Sequence, residues 1–136
     1  MSNIANNSEE LNRAFHISVC GGLGTDFARL AELVGDGADV NSYAPYGAAN
    51  GNYQTALGQA VDVNNYGLAM FLIDMGADVN RLTHRSGQFP LHCAIGRRNR
   101  TMIRTLLCHG ADMDARHDDG ESPRELAARL NVLEIF

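Results

Sequence analysis

The residues best suited to chemistry are two adjacent histidine and cysteine pairs, His92-Cys93 and Cys108-His109. A cysteine nucleophile needs a base within hydrogen-bond reach. Neighbours on a helix diverge by about 100°, so His92 and Cys93 cannot form a dyad by themselves. The two pairs also offer zinc ligands, but they lack the paired C-x2-C spacing of common zinc sites. The sequence therefore predicts neither a catalytic residue nor a metal site here.

A second candidate for chemistry is an acidic segment that holds Asp112, Asp114, Asp118 and Asp119. Carboxylates suit calcium, but this spacing lacks the glycine and the closing glutamate of a calcium-binding loop. The sequence also has no GxxxxGK[ST] or GxGxxG loop for phosphate groups. A solvated acidic turn is the simpler interpretation, and we expect no cofactor and no enzymatic activity.

Composition predicts a soluble protein of one domain. Of the 136 residues, 45% are hydrophobic and 20% are charged, and no apolar stretch approaches the roughly 18 to 20 residues of a membrane-spanning helix. The N-terminus lacks the basic and apolar regions of a secretory signal. The three cysteines, an odd number without paired spacing, indicate free thiols in a reducing compartment. We therefore expect a cytoplasmic location.

The net charge of -5 is distributed unevenly along the chain. Residues 1–80 hold nine acidic residues and two arginines, and residues 112–136 hold seven acidic residues and three arginines. Residues 81–111 hold six arginines and no acidic residue. This arginine belt consists of Arg81, Arg85, Arg97, Arg98, Arg100 and Arg104. Such a positive block favours an acidic protein partner, while the acidic blocks on both sides argue against nucleic acid.

The elements that must position these residues form an internal repeat. The blocks GADVN, GADVN and GADMD begin at Gly37, Gly76 and Gly110, at intervals of 39 and 34 residues. Each block follows an apolar pattern with helical spacing. A glycine just past the last helical turn can adopt a positive φ without a steric penalty, so these glycines predict helix ends.

A second, shorter helix is expected to begin at the same place in each unit, in the segments 55–61, 89–95 and 122–128. Thr55 and Ser122 are good N-cap residues, and Glu125 would complete a capping box with Ser122. Pro90 and Pro123 fit the first helical turn, where a missing amide costs nothing. Each unit is thus a turn followed by two helices.

These segments resemble the TPLHxA and GADVN signatures of the ankyrin-repeat family over about residues 9–136. The resemblance implies an all-α solenoid of stacked helix-turn-helix units with projecting finger loops. The units would span about 9–41, 42–80, 81–114 and 115–136, after a flexible N-terminus at 1–8. His92 keeps the histidine of the signature and is expected to bond the backbone of a neighbouring repeat. Gly58 replaces this histidine in the second unit.

The two end units are atypical caps. Ser8 precedes two glutamates, which predicts that the first helix begins at about residue 9. The last unit is short, and its apolar residues Leu133, Ile135 and Phe136 are expected to fold back as a lid.

An enlarged finger loop is expected at residues 42–54, where proline and glycine exclude a helix. It contains Tyr43, Tyr46 and Tyr53. Tyrosine on a projecting loop gives a large rigid contact area with a polar tip, which suits binding. The alternative is that a ring tucks back onto the domain.

Recognition of another protein is the favoured function, by an inhibitor, an immunity-type antagonist or an adaptor with no effector domain of its own. Arginine binds carboxylates with two donors at once, so an acidic surface is the expected partner. The expected contact residues are Tyr43, Tyr46, Tyr53, Arg81, Arg85, Arg97, Arg98 and Arg100. Two alternatives remain: nucleic-acid binding through the arginine belt, and self-association between the belt and the acidic half of another copy.

Overall fold

The computed structural model of the chain describes residues 4–19, 26–44, 54–83, 88–117 and 120–135. These residues form seven α-helices and a final 3-10 helix, and they contain no strand beyond one isolated bridge. The elements are α1 (Ile4–Val19), α2 (Phe27–Gly35), α3 (Ala56–Asp62), α4 (Tyr66–Asp74), α5 (Pro90–Gly96), α6 (Arg100–Cys108), α7 (Pro123–Arg129) and η1 (Leu133–Ile135).

The helices pack in pairs, and the pairs stack in chain order. Helix α1 packs on α2, α3 on α4 and α5 on α6. The first helices of the pairs also pack on each other, α1 on α3, α3 on α5 and α5 on α7, while η1 packs on α7. The first helices therefore form one layer and α2, α4 and α6 form an outer layer. The predicted all-α solenoid is confirmed.

Side-chain caps start the helices where the sequence predicts them. The Thr55 hydroxyl accepts a hydrogen bond from the Gly58 N–H at 3.1 Å. The Ser122 hydroxyl accepts from the Glu125 N–H at 3.2 Å, and Glu125 accepts from the Ser122 N–H at 3.3 Å, so the capping box is confirmed. The outer helices α2, α4 and α6 are preceded by the N-cap residues Asp26, Asn65 and Asn99, whose side chains accept in the same way. Each cap satisfies an amide that would otherwise lack a partner.

The helix ends also follow the prediction. Gly37, Gly76 and Gly110 have φ values of 117°, 103° and 93°, which a residue with a Cβ adopts only with strain. A second set of left-handed residues, Asn64, Arg98 and Asn131, was not predicted. One member lies between the two helices of each of the last three units. Arg98 adopts this conformation at the highest cost, because asparagine tolerates a left-handed φ better than arginine does.

An asparagine ladder holds the turns of the repeats, and two of its three members join the turns of successive repeats. The Oδ1 atoms of Asn12, Asn41 and Asn80 accept hydrogen bonds from the N–H groups of Asp39, Asp78 and Asp112, at 2.7, 2.7 and 2.8 Å. The amide groups of Asn41 and Asn80 also donate to the carbonyls of Gly76 and Gly110. Asn41 and Asn80 thus fix the spacing of neighbouring turns with side chains of the GADVN blocks themselves, whereas Asn12 holds the first turn on α1.

Histidine joins the last two repeats through the first helices. The Nδ1 atom of His92 accepts a hydrogen bond from the Phe89 N–H at 3.0 Å, so its Nε2 atom carries the proton. Nε2 then donates to the Glu121 carbonyl, 2.6 Å away, in the next repeat. The predicted backbone bond of His92 to a neighbouring repeat is therefore confirmed.

At the junction of the second and third repeats, a threonine of the third repeat takes the place of this histidine. The carbonyl that corresponds to Glu121 is that of Gln88, and it accepts a hydrogen bond from the Thr83 hydroxyl at 3.0 Å. Thr83 is fully buried against Gly58, and a Cβ at position 58 would lie 2.7 Å from the Thr83 Cβ. Gly58 thus leaves the space that the threonine fills.

At the first end of the array the prediction was wrong, and at the last end it was wrong for Leu133. Helix α1 begins at Ile4 instead of residue 9, because Ser8 lies within the helix at a propensity cost of only a few tenths of a kcal/mol. At the other end, Leu133 is 48% exposed, whereas Val132 is buried. The left-handed Asn131 turns the chain back, and the Val132 N–H bonds the Ala127 carbonyl at 2.9 Å. The side chains of Ile135 and Phe136 lie outside the described residues.

Candidate protein-binding surface

The base of the enlarged finger is a short piece of antiparallel pairing. Tyr43 and Thr55 form a β-bridge, and the Ala44 N–H donates to the Gln54 carbonyl at 2.9 Å. Because Thr55 is also the N-cap of α3, the finger base is attached directly to a helix of the first layer. Tyr46 and Tyr53, two of the predicted contact residues, lie outside the described residues.

Tyr43 connects this finger to the next one. Its hydroxyl donates a hydrogen bond to the Leu82 carbonyl at 2.8 Å, so the ring is half-buried and tucked back onto the domain. The guanidinium carbon of Arg81 lies 4.9 Å from the centre of the Tyr43 ring, within range of a cation–π contact. Tyr43 and Arg81, both predicted contact residues, therefore form one aromatic and cationic pair at the finger edge.

Arg97 has an acidic neighbour that the linear sequence does not reveal. Its Nε atom lies 3.7 Å from Oδ1 of Asp62, at the end of α3 in the preceding repeat. The other oxygen of Asp62 accepts a hydrogen bond from the Gln54 side chain at 2.6 Å. Asp62 therefore connects the finger base with the loop after α5. Part of the positive charge of Arg97 is compensated within the fold.

The remaining arginines of the belt are distributed around the third repeat. Arg98 donates to the Leu130 carbonyl at 3.4 Å, and Arg100 is the exposed first residue of α6. Arg104 is exposed one turn further along α6. Because the seven-residue helix α5 is about 10 Å long, it separates Arg81 at the finger edge from the loop at 97–99. The belt is therefore not a single patch. Arg85 lies outside the described residues.

The two candidate thiols differ in environment. Cys93 is buried, and this burial is the main reason why its pKa is raised to about 11. Its thiol therefore stays protonated near neutral pH and is a poor nucleophile. Cys108 is exposed near the end of α6, and both thiols are free. His92 cannot serve as a base for Cys93 because both of its ring nitrogens are engaged with backbone groups.

The acidic turn is occupied by contacts within the chain. Asp112 accepts a hydrogen bond from the Asp114 N–H at 2.8 Å. Asp114 binds Arg124 through two hydrogen bonds of 2.8 and 3.2 Å, which lowers the pKa of its carboxyl group. In the described part of the chain, no group of three or more His, Cys, Asp or Glu is arranged to hold a metal ion. Asp118 and Asp119 lie outside it.

None of the helices described here is both long and apolar enough to cross a membrane. The fold, with its repeated caps, asparagine ladder and paired helices, defines a solenoid of ankyrin type. A family model for ankyrin repeats in three copies matches residues 4–117 and 57–136. The chain belongs to the ankyrin-repeat family, whose repeats bind other proteins and are in general not catalytic.

Several curated proteins contain segments similar to this chain. Rabankyrin-5 of Mus musculus is 35% identical over 102 residues, which is 67% of this chain and 9% of that protein. The B-cell lymphoma 3 protein homolog of Mus musculus is 31% identical over 62% of this chain and 19% of its own length. Neurogenic locus notch homolog protein 1 of Mus musculus is 32% identical over 85% of this chain and 5% of its own. This chain thus matches less than a fifth of each of these relatives.

Proposed function

We propose that this chain is a non-catalytic recognition module that binds an acidic surface of another protein through its finger edge. The observation that carries the proposal is the pairing of Tyr43 with Arg81. The hydroxyl of Tyr43 is fixed on the Leu82 carbonyl, and its ring carries the Arg81 guanidinium at 4.9 Å. A cation held in this way loses less conformational entropy on binding a carboxylate than a free side chain does.

The proposal includes the other predicted contact residues. Tyr46, Tyr53 and Arg85 belong in sequence to the same two fingers. Arg97, Arg98 and Arg100 lie beyond α5, and they would act through their field rather than in one shared contact. Such a field raises the rate of encounter with an acidic partner and weakens with added salt.

The proposed mode of action is to occupy or tether the partner, as an inhibitor, an immunity-type antagonist or an adaptor. The support is that the described residues form a framework of buried helices in which both ring nitrogens of His92 are engaged with backbone groups and the pKa of Cys93 is raised to about 11. A reducing compartment such as the cytoplasm is part of the proposal, because Cys93 and Cys108 are both free.

The test compares three forms of the protein as bait in its native lysate: wild type, Arg81→Glu and Arg29→Glu. Arg29 is the matched control, because it is an exposed arginine of α2, remote from the finger edge. We expect one protein to be retained by wild type and by Arg29→Glu and lost with Arg81→Glu. Calorimetry with that purified protein should then show weakening of at least about tenfold for Arg81→Glu, the size expected for a charged hydrogen bond. Equal binding by all three forms would refute the finger edge as the site.

The same samples discriminate the alternatives. Retention of duplex DNA with a steep salt dependence would favour nucleic-acid binding. A mass that doubles in light scattering at low salt and falls at high salt would favour self-association through the arginine belt.

A further inference from the structure

A groove lies on the outer layer between α4 and α6, on the side of the repeats away from the first helices. Its volume is about 370 Å³. Tyr66 and Met70 of α4 form one wall, and Thr101, Arg104, Thr105 and Cys108 of α6 form the other. The finger edge contributes none of these residues.

The groove is open because of one small residue. Helices α2, α4 and α6 each have nine residues after an equivalent N-cap, so their positions correspond one to one. Between α2 and α4, Phe71 packs on the first residue of the preceding outer helix, Phe27, with ring centres 4.9 Å apart. Between α4 and α6, the place of Phe71 is taken by Thr105 and that of Phe27 by Tyr66. The shorter side chain leaves space where the neighbouring pair of rings is in contact.

The lining of the groove combines apolar surface with positive charge. Tyr66 is 45% exposed although it is a large aromatic residue. Arg104 is exposed, and within the described chain its side chain forms neither an ion pair nor a hydrogen bond. His109 borders the groove and donates from Nδ1 to the Thr105 carbonyl at 2.7 Å, which leaves its Nε2 atom for other contacts. No aspartate or glutamate is among the lining residues.

We propose that this groove is a second docking site, which binds an acidic peptide segment of a partner protein. An apolar side chain of the segment lies on Tyr66 and Met70, and a carboxylate next to it pairs with Arg104. The charge of the lining selects an acidic segment, because a basic one would place its cations against Arg104. The apolar wall gives the contact area that a charge pair at an exposed site cannot supply alone.

The experiment uses a fluorescent nine-residue peptide of alternating glutamate and leucine, and a control peptide with lysine in place of glutamate. Fluorescence anisotropy is measured with wild type, Arg104→Glu, Thr105→Phe, Arg81→Glu and the control Arg29→Glu. We expect the glutamate peptide to bind wild type and Arg29→Glu equally. Arg104→Glu should weaken binding about tenfold, since a charge pair is replaced by repulsion. Thr105→Phe should abolish it by filling the groove as Phe71 fills its neighbour.

A second measurement keeps the test independent of whether Thr105→Phe folds. Cys108 lines the groove, so glutamate peptide at a concentration near the wild-type Kd should slow its alkylation in wild type and much less in Arg104→Glu, as followed by peptide mapping. The proposal is overturned if wild type does not bind the glutamate peptide, or if the lysine peptide binds equally well. It is also overturned if Arg81→Glu abolishes binding while Arg104→Glu does not, since the peptide would then occupy the finger edge.

Discussion

Replacing Gly58 by alanine tests whether Thr83 of the third repeat fills the space that Gly58 of the second repeat leaves. On a helix surface this change would stabilise by about 1 kcal/mol, because glycine is the poorer helix former. Here the new Cβ would lie 2.7 Å from the Cβ of Thr83 and 2.9 Å from its Cγ2. No ordinary Cβ contact is that short, so either Thr83 or α3 must move.

Thr83 has little freedom to move, and this determines how much Gly58→Ala should lower the free energy of unfolding. It is fully buried, and its N–H and hydroxyl both donate to the Gln88 carbonyl, at 2.7 and 3.0 Å. Its own carbonyl accepts from the Thr55 N–H at 3.1 Å. Overpacking costs about 1–3 kcal/mol, and the loss of one hydrogen bond costs about 1 kcal/mol. After the gain in helix propensity, Gly58→Ala should lower the free energy of unfolding by about 1–3 kcal/mol.

Urea denaturation followed by circular dichroism measures this difference in the free energy of unfolding, and a double-mutant cycle with Thr83→Gly assigns it to contact with Thr83. In the Thr83→Gly background the obstructing Cβ and Cγ2 are gone, so the cost of Gly58→Ala should fall by at least about 1 kcal/mol. If Gly58→Ala stabilises the wild-type protein by about 1 kcal/mol, helix propensity dominates and the steric argument is refuted. Equal costs in both backgrounds would also refute it, because the strain would then not involve Thr83.

Three further predictions concern single groups. Arg98→Asn should raise the free energy of unfolding by about 0.5–1 kcal/mol, because asparagine tolerates the left-handed φ of 55° better than arginine does; urea denaturation that shows a loss would contradict this. Desolvation lowers the pKa of the buried His16, so the unfolded chain binds the proton more tightly and stability should fall as the pH decreases below the unfolded value of about 6.5. This loss should be smaller in His16→Gln, and an NMR titration that places the pKa of His16 above 6.5 would contradict the assignment. Cys108 should react with iodoacetamide in the native protein while Cys93, with its pKa raised to about 11, reacts only after unfolding; mass mapping of the alkylated peptides decides this.

The parts of the fold that the sequence predicts well depend on contacts between residues close in the chain. The caps Thr55 and Ser122 bond an amide three residues ahead, so their position next to an apolar helical pattern is sufficient. The glycine at each helix end could also be predicted locally, because it is required by the positive φ of its own backbone. His92 was interpretable although its bond spans 29 residues, because the repeat fixes what lies beside it.

The parts that could not be predicted depend on how one repeat lies on the next. The block from 81 to 111 contains no acidic residue, yet Asp62 from the preceding repeat contacts Arg97. Thr83 takes the place of the histidine that Gly58 replaces, and predicting this requires knowing which carbonyl faces position 58. A linear charge block is therefore a poor guide to a charged surface in a stacked array, since each residue has neighbours about one repeat away on either side.

The third repeat contributes charged residues to both of the proposed docking surfaces, and these residues are separate from the hydrogen bonds that hold the repeat in the array. The bonds that hold this repeat to its neighbours involve buried or backbone groups, such as His92 with the Glu121 carbonyl and Asn80 with the Asp112 N–H. Arg81 and Arg104 take no part in these bonds, and they lie at the finger edge and on the outer layer, with α5 between them. A charge change at Arg104 leaves these hydrogen bonds in place, and one at Arg81 removes the contact with the Tyr43 ring but none of them. Because the two proposed sites share no partner, changes at both are expected to act additively. Selection for one partner at the finger edge would therefore leave the outer groove free to acquire another.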